Sequence, residues 1–150
     1  MIGEILCGRC SWFGGPDDGG VSSSENLAWW ETWDQVVRDK AEGMFLDEQP
    51  VDTTGLARRL DPTEFFIAMR WDYEEISKTD LLRTICLVRS PETGKSFWAR
   101  PADWGPNSNT GRICDISSGL MEALGVDTDD ELEIVVIPPK KEEDADNLVA

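Results

Sequence analysis

Between Glu64 and Ile137 the chain carries five short apolar runs, each long enough for a strand and bounded by turn-forming residues. Glu64–Tyr73 alternates, with Phe65, Ile67, Met69 and Trp71 on one face. Ser77–Asp80 connects it to a second run, Leu81–Arg89. A third, Ser96–Arg100, lies beyond the turn Ser90-Pro91-Glu92-Thr93-Gly94-Lys95. Arg112–Ile116 follows a loop, Pro101–Gly111, punctuated by glycine and proline. Glu131–Ile137 alternates through Leu132, Ile134 and Val136. Before this last run, Ser117 or Ser118 can cap a helix that continues to Leu124 and stops at Gly125. Strands this short around an embedded helix predict a mainly β fold closed into a barrel, because closure leaves no edge to protect.

The flanking regions are less regular. Residues 2–13 read as one or two short strands, and Phe13–Gly20 is a dense turn cluster. Leu27–Arg38 reads as a short helix or an irregular aromatic segment. Ser24 is its candidate cap, and Trp29 and Trp33 would share a helical face. Residues 39–63 read as loop, interrupted by Pro50, Gly55 and Pro62. Pro138-Pro139 ends the last strand, and Lys140–Ala150 reads as a polar tail. A chain of 150 residues favours one domain, here residues 1–139. No stretch is apolar for long enough to insert in a membrane as a helix. Met1–Leu6 contains Glu4 and has neither a basic start nor a useful apolar run, so no export signal is read there. A cytoplasmic location, carriage by a phage and release by another protein all stay open.

The formal net charge is −16, from 30 acidic and 14 basic residues. Such a chain repels phosphate backbones, so general nucleic-acid binding is not expected. A neutral partner such as a glycan, or a basic protein surface, fits better; the acidity also serves solubility. Seven Trp stand beside a single Tyr. Most belong in a core, but indole faces also suit the C–H face of a sugar ring. Cys7 and Cys10 form a C-x-x-C, while Cys86 and Cys114 sit in strand patterns as buried free thiols. With no second close pair and no histidine in the chain, neither a metal site nor a cofactor is expected.

The run Gly94-Lys95-Ser96-Phe97-Trp98-Ala99-Arg100-Pro101-Ala102-Asp103-Trp104-Gly105-Pro106 precedes Thr110-Gly111-Arg112-Ile113-Cys114-Asp115-Ile116-Ser117, and then Leu120-Met121-Glu122-Ala123-Leu124-Gly125. This series resembles rare lipoprotein A. There a strand enters an asparagine-aspartate-x-glycine-proline loop, an arginine- and aspartate-bearing strand follows, and a short helix ends in leucine-glycine. Ala102 replaces the asparagine here, while Asp103, Gly105, Pro106 and Asp115 match. Ser11-Trp12-Phe13-Gly14 is similar to the serine-tryptophan-tyrosine-glycine that opens the same domain. The resemblance implies a six-stranded double-psi β-barrel with one or two short helices, shared with the expansins. Residues 22–62 have no counterpart and read as an N-terminal insertion, serving as a lid or a surface for a protein partner.

What the resemblance implies functionally is binding or cleavage of peptidoglycan or another glycan, as in lytic transglycosylases. The candidate catalytic residues are Asp103, Asp115 and Glu25; the candidate substrate-binding residues are Trp104, Trp98, Arg58, Arg112 and Trp12. Protonating a glycosidic oxygen needs a carboxylic acid, and a lytic transglycosylase can manage with few other groups because the substrate's own hydroxyl attacks. An aspartate among aromatic residues can have its pKa raised by desolvation. Structural roles compete with each assignment. Asp115 can serve a helix start, Asp103 an Asx-turn, and Glu25 can be a solvated loop residue. The family's histidine is missing, and Gly55–Leu60 stands nearest its place. That gap favours two alternatives, a non-catalytic carbohydrate-binding barrel and a structural or assembly protein of a phage or mobile element. The enzyme reading requires Asp103 and Asp115 to line one open cleft.

Overall fold

The computed structural model describes Met1–Lys140; nearly all of the expected polar tail therefore lies outside the described residues. Six strands close into a barrel: β1 (Ile5–Trp12), β2 (Phe66–Met69), β3 (Ile85–Arg89), β4 (Ser96–Trp104), β5 (Arg112–Ile116) and β6 (Glu131–Ile137). Their order around the barrel is β1-β5-β2-β4-β3-β6. β1 with β5 and β2 with β4 are parallel; the other four pairs are antiparallel. The barrel interior is filled by alternate residues, among them Cys10, Ile67, Met69, Val88, Cys114, Ile116, Leu132 and Ile134. Cys86 is also interior, and its desolvated thiol is pushed up to about 12.

Among the described residues there are three short α-helices, rather than one or two: α1 (Trp33–Arg38), α2 (Lys78–Leu81) and α3 (Ser118–Leu124). α3 has the predicted ends. The Ser117 hydroxyl accepts the Leu120 N–H at 3.3 Å, and Gly125 adopts the left-handed conformation at φ 73°. Leu120 and Leu124, one turn apart, plug the barrel. Ser117 is fully buried, and its hydroxyl also accepts the Phe66 N–H at 3.3 Å. Ser117→Ala therefore strands two donors and should cost about 1–3 kcal/mol. The denaturation midpoint should fall with an unchanged slope.

The connection between β1 and β2 (residues 13–65) builds a second core on the outside of the barrel. Successive β2 residues split between the two cores, Ile67 and Met69 facing in, Phe66 and Ala68 facing out. Onto that outer face pack Phe13, Leu27, Trp30, Val36, Phe45, Leu56 and Leu60. α1 is shorter than expected. Its cap is Thr32, which forms a capping box with Gln35, so Ser24 caps nothing and Trp29 lies outside the helix. β3 starts later than expected because Ser77 caps α2 and takes Lys78–Leu81 out of the strand. All four cysteines are free, with Cys7 exposed and Cys10 buried, so the C-x-x-C spacing does not bring the two thiols together.

Candidate functional site

The register sets Asp103 of β4 and Asp115 of β5 on either side of Ala68 of β2. Directly paired residues share a face of the sheet, and Ala68 faces the outer core. The two aspartates thus project from the outside of the barrel, two strands apart, with Cα atoms about 10 Å from each other. Ser11 of β1, opposite Asp115, extends the row.

Asp103 is held rigidly. Its Oδ1 accepts the Trp104 N–H and the Ala28 N–H, both at 2.8 Å. Trp71 Nε1 donates to the Asp103 carbonyl at 2.9 Å, and Trp104 Nε1 donates to the Trp71 carbonyl at 3.0 Å. Among the described residues Oδ2 takes no hydrogen bond, which leaves one oxygen oriented and free. Burial pushes the Asp103 carboxyl up to about 6; the two N–H donors oppose this and the charge of Glu25 adds to it. The local contact is to the N–H of the next residue, so Asp103 does not form the expected Asx-turn to Gly105, whose N–H donates to the Met69 carbonyl; the Ala28 contact ties Asp103 to the β1–β2 connection.

Asp115 is not the helix cap. Ser117 fills that role, and no hydrogen bond holds the Asp115 carboxylate among the described residues. Burial raises it too, to about 6, with Arg112 opposing and the charges of Asp18 and Asp103 adding. Both carboxyls are half-buried and raised to about 6 by burial, and the charge of Asp103 adds to the shift of Asp115.

Glu25 is exposed and near enough for its charge to reach Asp103. Its loop is clamped: the Glu25 carbonyl accepts the Ala57 N–H at 3.1 Å, and Gly55 passes so close that a Cβ there would run into that carbonyl. Trp104 adjoins Asp103 and is 44 % exposed. Trp12 pairs with Ile116, next to Asp115, and is 37 % exposed. Trp98 is exposed but pairs with Leu87, five residues back along β4, about 17 Å away by strand rise. The Arg58 guanidinium donates to the Val21 carbonyl at 2.7 Å and braces the loop. Arg112 lies at the far end of β5 in an ion pair with Asp129 at 2.8 Å. The structure therefore sets Asp103 and Asp115 on one face, with the charge of Glu25 within reach. Trp104 follows Asp103 and Trp12 follows Ser11, but they pair with Met69 and Ile116, which face the barrel interior, and so lie on the other face of the sheet. Trp98, Arg58 and Arg112 lie outside the row.

Two contributors were not singled out from sequence. Asp18 is buried in the turn after β1 and accepts the Gly14 and Gly20 N–H groups at 2.8 and 2.9 Å. An aspartate inside a glycine-rich turn is the signal that could have found it. Tyr73 is raised first by burial and then by the charge of Asp103. Neither aspartate lines the cavity of about 460 Å³ beside Ala28 or the one of about 290 Å³ between Cys7, Arg70 and Arg112. Among the described residues no group of three His, Cys, Asp or Glu is placed to hold a metal ion, and no helix is long and apolar enough to cross a membrane. The chain matches no family model and no curated protein.

Proposed function

We propose that the Asp103–Asp115 face binds glycan strands of the bacterial cell wall, with Asp103 as the proton donor to the glycosidic oxygen. One observation carries this reading: two carboxyls in one cross-strand row, on either side of Ala68 and each raised to about 6 by burial. A carboxyl in that range is still partly protonated where cells work, which a general acid requires. Asp103 would give its proton to the leaving oxygen while a hydroxyl of the same sugar attacks the anomeric carbon. The hydroxyl's proton passes to a carboxylate of the row, so no water is consumed. Two parallel strand pairs set among antiparallel ones support a double-psi barrel, and residues 22–62 are then its insertion. The chain contains no histidine, and neither aspartate lines either cavity described above, so the open cleft that cleavage requires is not met there; both facts favour a second reading, binding without cleavage.

The test is incubation with purified peptidoglycan. Under the first reading the wild type releases soluble fragments and Asp103→Asn releases none. Release should fall about tenfold per pH unit above pH 7, because only the protonated acid works and its pKa lies near 6. Under the second, both proteins pellet with the wall and nothing is released. A protein that neither pellets nor cuts contradicts both.

A further inference from the structure

We propose that the cavity between residues 28–39 and α2 is a second sugar-binding pocket, one that continues the Asp103 face and is walled by the β1–β2 connection. This inference rests on the glycan reading above and adds where the strand lies beyond Asp103. The cavity measures about 460 Å³, a size that takes a small ligand. Ala28 joins it to the row directly, since Ala28 lines the cavity and its N–H donates to Asp103 Oδ1 at 2.8 Å. Lys78 lines it from the other side, and its Nζ lies 5.1 Å from the centre of the Tyr73 ring.

The lining selects the class of ligand. Its titratable groups are Glu31, Arg38, Asp39 and Lys78, two acidic and two basic, in a chain whose net charge is −16. A balanced pocket on an acidic protein neither repels nor demands net charge, so a neutral polyhydroxy ligand fits it. Arg38 and Asp39 satisfy each other at 3.1 Å. Glu31 and Lys78 form no ion pair among the described residues, which leaves a carboxylate and an ammonium for ligand hydroxyls. Trp29 supplies a half-buried indole to the wall. Its Nε1 is the single buried side-chain polar atom without a partner among the described residues, on a ring of which another part lines the cavity.

The experiment is an NMR titration of the full chain with chitotetraose, following backbone amides and indole N–H signals. Expected are shifts at the Trp29 indole, Glu31 and Lys78 together with shifts at Asp103 and Trp104. Lys78→Ala combined with Glu31→Gln, both on exposed side chains, should weaken binding about tenfold while the spectrum stays folded. Shifts confined to Asp103, Trp104 and Asp115, or a double variant that binds as well as wild type, would overturn the pocket and leave the glycan reading standing. No shift anywhere would overturn both.

Discussion

Asp103→Asn should leave the protein more stable at pH 7.5 than the wild type, and inactive on cell walls. The gain follows from the direction of the shift. Burial raises the Asp103 carboxyl to about 6, from an ordinary value near 3.8, so its ionised form is disfavoured in the folded state. A group raised this way favours folding while it is protonated, and that contribution is lost as pH climbs from about 4 through 6. Two pKa units correspond to roughly 3 kcal/mol at neutral pH, of which about 1–3 kcal/mol should be recovered by the amide. The asparagine oxygen can keep both N–H donors, from Ala28 and Trp104, so the fold has no reason to rearrange. Asp115, raised for the same reason, adds to the same window, whereas Asp39 and Asp129 are lowered by their arginine partners and oppose it at more acidic pH. Thermal melts should show wild-type stability falling between about pH 4 and 6, with a flatter profile in the Asp103→Asn, Asp115→Asn double variant. An Asp103→Asn protein less stable than wild type at pH 7.5 would mean that the carboxylate is a structural anchor and that its burial is compensated.

Trp30→Ala should cost about 3–5 kcal/mol and fall mainly on the β1–β2 connection. Trp30 is 1 % exposed and is the largest side chain of the outer core. It packs edge-on against Trp29 and Phe45, with centroids 5.9 and 5.6 Å away, and its Nε1 donates to Asp39 at 3.0 Å. The barrel interior does not include it. Hydrogen exchange at the slow amides of residues 27–60 should accelerate by more than 100-fold, while β3 and β6 keep most of their protection. With the Ala28 segment loosened, Asp103 gains solvent and its carboxyl should move down toward the ordinary aspartate range. Equal acceleration in β3, β6 and residues 27–60 would show that the two cores open as one.

The elements that could be read in advance were those whose local chemistry and tertiary role agree. α3 has a serine cap, two leucines a turn apart and a terminal glycine, and β6 alternates cleanly; both stand where the residues place them. The barrel closure followed from many short strands needing partners. β4 was cut short because Pro101 lacks an N–H and argues against a strand interior. The strand runs on to Trp104 because a register shift between Ile67 and Ala68 opposite it absorbs the missing donor. That continuation is what carries Asp103 into the row. α1 takes up only the second half of Leu27–Arg38, the segment expected to be helical or irregular, because Thr32 and Gln35 spell a capping box that starts the helix there. The outer core was not legible, because residues 39–63 hold their apolar groups at irregular spacings that match neither helix nor strand period. Candidate residues chosen by type alone, such as Arg58 and Arg112, proved to be occupied by a carbonyl and an aspartate that no spacing rule reveals.

Carbon-detected NMR titration of the aspartate carboxyls, in the wild type and in Asp103→Asn, reaches the pairing on which everything else depends. Asp103 and Asp115 should both show midpoints near 6, and removing the Asp103 charge should lower the Asp115 midpoint. Midpoints near 3.8 for both, with Asp115 indifferent to the substitution, would mean two unrelated surface carboxylates and no shared site.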